Sequence, residues 1–459
     1  METEFVVYKC PVLSMRNGMK EEEMSGEIKL EVEHRIYIKP SIATPPHLQT
    51  FKLSLLDQLS PNIHGNITLF YPHTTHTLPH FSTKSQLLQT SLSHTLTRFY
   101  PLAGNLHDAT TLHCNDGGAL FIQSHTHATL SDILKAPNFH TLQCLLPSTD
   151  NQTSTNGPLL LVRFTSFRCG GTAVTISLSH KIADIAAVIA LLKTWTAACA
   201  GQTPPRDPEL TAGAVLFPPR ELPVMTASIN TVSSENFTSR RFVFEASKVK
   251  ALKKRIGEGC VFEPSRVEVV LALIWKCALS ASGSGTASFR RSVLFQAVNL
   301  RPRMEPAVAD GAVGNFVWPF AVTVEEEAHL ELHVMVKRMR ESMREFVESK
   351  AKRLSEDGAF EAVMESLKER DEVLKQKSDV YKCSSWCKFP LLEVDFGWGE
   401  AVWGCSVNKI CSNTIALMDT RDGGVEAFVT LDHQHMLLFQ HHHHLLHYAL
   451  LNPPVNHHT

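Results

Sequence analysis

The order of hydrophobic and polar residues divides the chain into strand-like and helix-like segments. Alternation of apolar and polar positions, or a short apolar run rich in β-branched side chains, is typical of strands. Segments of this kind lie at residues 29–40, 118–124, 158–167, 172–179, 240–247, 292–301 and 425–431. We therefore predict strands in both halves of the chain.

Apolar residues recur at steps of three and four in other segments, and this spacing predicts helices with one buried face. Such segments lie at residues 84–100, 181–195, 247–256, 264–281 and 325–354. Pro264 suits the first turn of its helix, because a proline there loses no helical hydrogen bond. Strands and helices are mixed in both halves, so the pattern predicts an α/β fold.

The composition changes in the middle of the chain, where residues 201–224 are dense in proline. Such a segment favours an extended connection rather than a regular element. A chain of 459 residues is also long for one core, and two domains of about 200 residues are expected. We predict domains at 29–200 and 241–459, a crossover linker at 201–240 and a flexible extension at 1–28.

Composition and charge exclude several classes of function. The 44 basic and 46 acidic residues leave a net charge of −2, so neither nucleic acid nor an anionic membrane is expected as a partner. No run approaches the length of a membrane span, and residues 1–28 lack the pattern of a secretory signal. The eleven cysteines include no CxxC pair, which favours reduced thiols in a cytoplasmic protein.

One candidate for chemistry is the stretch SLSHKIADIAAV at residues 177–188, where strand-like residues give way to helix-like ones. His180 could take a proton from an alcohol near neutral pH. Asp184 follows one helical turn later and would share its face. By itself the spacing also fits a buried histidine and a carboxylate that stabilises a helix start.

A second candidate is DFGWG at residues 395–399. Gly397 and Gly399 flank Trp398, which indicates a tight turn. Asp395 could cap that turn or meet an arginine. A kinase is excluded because the chain has neither GxGxxG nor HRD, and a turn of purely structural importance remains an alternative.

Taken together and in order, the motifs of this chain resemble those of the plant BAHD family of acyl-CoA-dependent acyltransferases. The resemblance runs from about residue 29 to near the C-terminal end. It rests on HKIAD, DFGWG and the segments LSLLDQ (53–58), YPLAGN (100–105), CNDGG (114–118), CGGTA (169–173), NLRPR (299–303) and SSWC (384–387). SLSHKIAD, QAVNLR and MDTRDGGVEA are most similar to the branch that acetylates alkaloids and other specialised alcohols.

The resemblance implies two similar chloramphenicol acetyltransferase-like domains with a channel at their interface. It implies that His180 is the general base there and that Asp184 pairs with Arg301. It further implies a structural role for Asp395, Gly397, Trp398 and Gly399 in DFGWG. It suggests an oxyanion donor on the channel at Asn315 and CoA contacts from Ser265 and Arg266.

The implied reaction transfers an acyl group, acetyl by branch resemblance, from acyl-CoA to a hydroxyl in a ternary complex. A general base assists this attack, and a thiolate leaves readily, so neither a metal nor a permanently bound cofactor is expected. The implied partners are acyl-CoA and a small alcohol, and the family suggests a monomer. The run His441–His444 has no carboxylate or cysteine at ligand spacing, which argues against a metal site.

The chain departs from the family at Ile185, where glycine is usual, and in YPLAGN, where YPLAGR is more usual. Amide formation, or transfer of a benzoyl or longer group, is an alternative within the family. A silent homologue that only binds is a second alternative, which the intact His180, Asp184 and Arg301 oppose. A serine hydrolase would need a GxSxG elbow, and the sequence has none.

Overall fold

The computed structural model describes residues 7–8, 28–73, 80–148, 157–204, 206–222, 236–283, 290–355, 358–407 and 413–455. Most of the extension predicted at 1–28 lies outside these residues, as do residue 205 and residues 223–235 of the predicted linker. The described strands are β1 Val7–Tyr8, β2 Leu30–Ile38, β3 Thr50–Lys52, β4 His64–Tyr71, β5 Asn105–Leu106, β6 Thr111–His113, β7 Ala119–Thr126, β8 Leu160–Phe167, β9 Thr172–Ser179, β10 Phe237–Phe244, β11 Ser292–Asn299, β12 Val317–Val324, β13 Asp379–Ser385, β14 Trp403–Cys405, β15 Thr414–Asp419, β16 Val425–Asp432 and β17 Leu450–Leu451.

The described α-helices connect these strands and complete the α/β fold that the sequence predicts. They are α1 Leu55–Leu59, α2 Phe81–Arg98, α3 Leu130–Lys135, α4 Phe139–Cys144, α5 Ile185–Cys199, α6 Ala212–Leu216, α7 Ala246–Gly257, α8 Arg266–Ser282, α9 Leu332–Phe346, α10 Ala359–Lys375, α11 His433–Phe439 and α12 His443–Tyr448. Among the described residues no helix has the length and apolar character needed to cross a lipid bilayer.

The described strands form two large mixed sheets, one for each half of the chain. The first has the order β1-β2-β7-β8-β9-β4-β14, and the second has the order β12-β11-β13-β15-β16-β10-β17. A small third sheet joins β3, β6 and β5. Each large sheet has its own hydrophobic core. Helices α2 and α5 pack together in the first half, where the buried Trp195 donates to the carbonyl oxygen of Leu88 at 3.2 Å.

The helix after β9 begins later than its hydrophobic pattern predicts. We predict helical residues from 181, but α5 begins at Ile185 and Asp184 is its N-cap in an extended conformation (φ −94°, ψ −178°). The Asp184 side chain accepts from the backbone N–H of Ala187 at 3.0 Å. His180 and Asp184 are therefore not neighbours on one helical face, because a turn separates them. The prediction of a shared face is wrong.

Two other helix starts also differ from prediction. Pro264 precedes α8 instead of occupying its first turn, and Ser265 is the N-cap in a capping box with Glu268. This arrangement satisfies backbone N–H groups at the helix start. The charged segment 325–354 contains a short 3-10 turn, Glu327–Leu330, before α9 begins at Leu332. At α8 the cap, rather than apolar spacing, sets the boundary; at α9 the N-cap residue Glu331 makes no side-chain cap hydrogen bond.

The DFGWG region belongs by packing to the first half of the molecule, although it lies late in the chain. Strand β14 pairs with β4 at the edge of the first sheet, and Trp403 faces Phe70 in that register. Phe396 and Trp398 are buried in the first core. A boundary at residue 241 therefore does not separate the two sheets. Alternation within one segment cannot reveal which sheet a strand joins.

Candidate active site

His180 lies directly after the end of β9 and is held at its backbone by both halves of the molecule. Its N–H donates to the carbonyl oxygen of Ile63 in the first half at 2.8 Å. Its carbonyl oxygen accepts from Nδ2 of Asn315, in the second half, at 2.8 Å. Because hydrogen bonds hold both the N–H and the carbonyl oxygen of His180, the backbone position of this residue is fixed. An acid–base group that must be precisely placed requires such support.

The half-buried His180 lines a cavity of about 2050 Å³. The wall is mainly apolar and aromatic, with contributions from both halves. The first half provides, among others, Ile63, Leu178, Lys181 and Val188, and the second half provides Phe295, Trp318, Phe346, Trp386 and Phe428. A concave, largely apolar space with a few polar groups is typical of a small-molecule site.

Asp184 and Arg301 form the ion pair that the resemblance implies. Nη1 of Arg301 donates to Oδ2 at 2.7 Å and Nη2 donates to Oδ1 at 3.0 Å. Oδ2 also accepts from the backbone N–H of Phe316 at 2.9 Å. Arg301 is fully buried and its Nη2 donates to the carbonyl oxygen of Ala312 at 2.8 Å. With both oxygens engaged, Asp184 has no free lone pair suited to relaying a proton from His180.

Among the residues that the structure describes, no carboxylate pairs with the His180 ring. Its Nδ1 is buried and makes no hydrogen bond to any described residue. This differs from a histidine in a catalytic triad, whose ring is oriented by a carboxylate. The backbone contacts to Ile63 and Asn315 therefore carry the positioning of His180 in this structure.

Asn315 occupies a different place from the one expected of an oxyanion donor on the channel. Its side chain is buried, and Nδ2 donates both to the His180 carbonyl oxygen and to Oδ1 of Asp57 at 2.8 Å. An amide has two N–H donors, so neither is free for a substrate oxygen. Asn315 instead links the His180 turn to Asp57.

Asp57 is a site residue that the sequence analysis does not single out. It is buried and accepts from the backbone and the hydroxyl of Ser54 at 3.0 and 2.6 Å, and from the backbone N–H of Asn315 at 2.8 Å. Burial raises the pKa of the Asp57 carboxyl, and these hydrogen bonds partly oppose the shift. The sequence signal is the spacing S-x-x-D in LSLLDQ, which indicates a capping box, here at the start of α1.

Lys181 also lines the cavity next to His180. Its Nζ donates to the carbonyl oxygen of Gln58 at 2.8 Å. Burial lowers the pKa of this amine, and the negative charge of Asp57 opposes that effect. The Gln58 contact ties the turn that carries His180 to the end of α1.

The DFGWG segment forms a tight turn away from the cavity lining. Oδ1 of Asp395 accepts from the backbone N–H groups of Gly397, Trp398 and Gly399 at 2.7, 3.0 and 2.9 Å. Gly397 and Gly399 have φ of +105° and +99°, a region that favours glycine. Of the two roles considered for Asp395, capping the turn or meeting an arginine, the structure shows the first. None of these residues is part of the described cavity wall, which agrees with the structural importance the resemblance implies.

Ser265 and Arg266 lie at the start of α8, outside the wall of the large cavity. Arg266 lines a smaller groove of about 670 Å³ together with Lys250, Lys253 and Lys254. Its guanidinium donates to the carbonyl oxygen of Gly423 and pairs with Asp419 at 3.0 Å. The expected contact of Ser265 and Arg266 with CoA stays a prediction.

Comparison with known proteins supports the family relationship. The family model described as "Transferase family" matches residues 28–446. The chain is 36% identical to BAHD acyltransferase BIA1 of Arabidopsis thaliana, over 94% of this chain and 99% of that protein. It is 32% identical to stemmadenine O-acetyltransferase of Catharanthus roseus, over 87% of this chain and 93% of that protein.

A solved structure agrees with both the fold and the family. The crystal structure of vinorine synthase matches with a TM-score of 0.78 and 31% identity, covering 89% of this chain and 96% of that one. The predicted fold, two chloramphenicol acetyltransferase-like halves, is confirmed by this match. The chain therefore belongs to the BAHD transferase family and is an acyl-CoA-dependent acyltransferase.

Proposed function

We propose that this chain transfers an acetyl group from acetyl-CoA to a hydroxyl of a plant specialised metabolite, with His180 as general base. The observation that carries the proposal is His180 on the wall of a large cavity lined by both halves, with no carboxylate partner for its ring among the described residues. The acetyl group is supported by similarity to a protein named stemmadenine O-acetyltransferase. Transfer to an amine, or of a benzoyl or longer group, is the alternative.

In the proposed mechanism His180 takes the proton of the acceptor hydroxyl as its oxygen bonds to the thioester carbonyl carbon. The C–S bond then breaks, the CoA thiolate leaves, and the imidazolium returns the proton to that sulfur. Products are the ester and free CoA. General-base assistance of this kind is typically worth about 10²–10⁴-fold, and holding both substrates in one cavity adds the benefit of proximity.

Asp184 and Arg301 act as positioning residues in this proposal. Their ion pair joins the N-cap of α5 to the segment after β11, so it holds the two halves in register on either side of His180. We propose in addition that Ser265 and Arg266 contact CoA, and that the protein works as a cytoplasmic monomer without a bound metal.

The test is release of CoA thiol from acetyl-CoA, malonyl-CoA or benzoyl-CoA in the presence of a panel of alcohols and amines, with ester or amide product identified by mass spectrometry. We expect acceptor-dependent release with acetyl-CoA and an alcohol, and its loss in His180→Ala. His47→Ala, which removes an exposed histidine, is the matched control and should retain full activity. Equal release from His180→Ala and the unchanged protein would exclude His180 as the base.

A further inference from the structure

The run His441–His444 lies at the start of the short helix α12. His442 is the N-cap of this helix and makes no side-chain cap hydrogen bond, and His443 and His444 are its first two residues. Their three rings are crowded, with centroid separations of 5.3 Å for His442 and His443, 5.7 Å for His442 and His444, and 4.1 Å for His443 and His444. Three groups that each take up a proton near about pH 6.5 therefore lie together at one helix end.

A positive charge on these rings is unfavourable for two local reasons. The backbone N–H groups at a helix start carry partial positive charge, so cations are disfavoured there. In addition, His442 is partly buried, and its Nδ1 is buried without a hydrogen-bond partner among the described residues. A protonated imidazole carries an N–H on both nitrogens, so protonated His442 has a buried donor without an acceptor, which is costly.

The elements packed against α12 place further cations beside the three rings. Helix α12 packs on α7 and α8, and the charges that face the rings are Lys276 on α8 and Arg255 on α7, together with His447 on α12 itself. Arg255 in turn donates to the Tyr448 hydroxyl at 3.3 Å and is attracted by Glu331. None of the described carboxylates forms an ion pair with the three rings.

These surroundings give the packing of α12 a pH dependence of known sign. Burial, followed by repulsion from neighbouring rings and from Lys276, lowers the pKa of both His442 and His444. A proton therefore binds these rings more tightly once α12 has opened. The stabilising contribution of the neutral rings is present above the pKa of an open-chain histidine, about 6.5, and is lost as pH falls through the lower pKa of the packed state.

The segment that follows α12, Leu450–Val455, is here called the C-terminal strap. Only Ala449 separates the strap from the end of α12 at Tyr448. The strap begins with β17, which pairs with β10 at the edge of the second sheet. Opening of α12 therefore acts directly on the first residues of the strap.

The C-terminal strap joins the two halves of the molecule. The backbone N–H of Asn452 donates to the carbonyl oxygen of Arg241 at 2.9 Å, and Nη1 of Arg241 donates to the carbonyl oxygen of Pro453 at 2.5 Å. Both contacts hold the strap on the second half. The backbone N–H of Val455 then donates to the carbonyl oxygen of Leu134, in the first half, at 2.7 Å.

We infer that His442, His443 and His444 form a pH-sensitive latch, which keeps the C-terminal strap in place when the rings are neutral and releases it when they are protonated. Release breaks the hydrogen bond between Val455 and Leu134, so the two halves are joined by fewer contacts in acid. The latch is independent of the proposed function, since it requires neither a substrate nor the ring of His180.

The test is hydrogen–deuterium exchange of the full chain at about pH 7.5 and about pH 5, with rates corrected for the intrinsic pH dependence of amide exchange. We expect the protection of the Asn452 and Val455 N–H groups to fall about tenfold in acid, the change that a tenfold weaker proton affinity of one packed ring produces. Strand β9, Thr172–Ser179, should keep its protection at both pH values.

Three variants test the origin of the fall. In His442→Gln/His443→Gln/His444→Gln the protonable rings are gone, and the protection of the strap should no longer depend on pH. Lys276→Met removes a cation that faces the rings and should make the fall smaller. The matched control removes three exposed histidines elsewhere and should show the full fall; it is His34→Gln/His47→Gln/His140→Gln.

Equal protection of the strap at both pH values in the unchanged protein would overturn the inference, as would the same fall in the triple variant of the latch. A fall shared equally by β9 would assign the effect to unfolding of the whole protein and would also overturn it. Because exchange is measured without substrates, the result does not depend on whether His180→Ala abolishes acyl transfer.

Discussion

Arg301 and Asp184 form a bidentate ion pair across the two halves, with N–O distances of 2.7 and 3.0 Å, and the arginine is fully buried. Removing one partner of a buried pair leaves an uncompensated charge. We expect Asp184→Ala to lower the free energy of unfolding by about 3–5 kcal/mol. Chemical denaturation measures this change.

The matched control for that prediction is an ion pair at the surface. Arg421 and Glu400 are 3.1 Å apart, with about half of each side chain exposed. Glu400→Ala should cost less than about 1 kcal/mol. The double variant Asp184→Ala/Arg301→Leu should be more stable than Asp184→Ala alone, because no charge is then left buried. A smaller loss for Asp184→Ala than for Glu400→Ala would contradict the assignment.

Asn315 supports His180 through the backbone carbonyl oxygen, so its removal should act on both activity and stability. We expect Asn315→Ala to reduce kcat by about tenfold, less than the 10²–10³ that loss of an oxyanion donor costs. Because the buried Asp57 loses a donor, unfolding should also become easier by about 1–3 kcal/mol. Steady-state kinetics and denaturation check both effects. A large loss of kcat with unchanged stability would favour the oxyanion role.

Asp57 gives the stability a pH dependence of known sign. Burial raises the pKa of its carboxyl in the folded protein, so the folded state holds this proton more tightly than the unfolded state. The protonated Asp57 carboxyl therefore contributes to the free energy of unfolding. This contribution is fully present below the pKa of Asp57 in the unfolded chain, near 3.9, and is lost as pH rises through its higher pKa in the folded protein. Asp57→Asn removes this dependence.

The measurement for Asp57 is the difference in unfolding free energy between the unchanged protein and Asp57→Asn from acidic to neutral pH. We expect the difference to move in favour of the variant as pH rises. Asp108→Asn is a control of opposite sign, because hydrogen bonds to Thr110 hold the pKa of Asp108 at about 2. If the Asp57→Asn difference does not vary with pH, burial does not dominate the ionisation of Asp57.

The backbone conformation at position 397 requires glycine, whereas the space around it would admit a larger side chain. Its φ is +105°, and an added Cβ would meet only Leu87 Cδ2 at 4.0 Å. We expect Gly397→Ala to lower the stability by about 1–3 kcal/mol, the usual range for a strained backbone position. Gly358 has an ordinary φ of −87° and nothing within 4 Å of an added Cβ. Gly358 is the N-cap of α10, where alanine is less favourable than glycine, so Gly358→Ala should cost less than about 1 kcal/mol. Thermal unfolding compares the two variants.

Local pattern predicts many of the longer strands and helices but not their exact ends. The alternation at residues 172–179 predicts β9 with the bounds Thr172–Ser179 that the structure shows. The helix that follows begins four residues later than its apolar spacing suggests, because the Asp184 side chain caps it. Apolar periodicity reports which face is buried, whereas a cap depends on one side-chain hydrogen bond.

The sequence by itself predicted the α/β class and many of the longer strands and helices. Through the order of its motifs it also predicted the family, and it singled out His180 as the candidate base. Only the tertiary structure decided that Asn315 holds the His180 carbonyl oxygen and that β14 joins the first sheet. The physical reason is separation along the chain. Periodicity is a property of neighbouring residues, whereas Asn315 and His180 are 135 residues apart and meet only when the two halves pack.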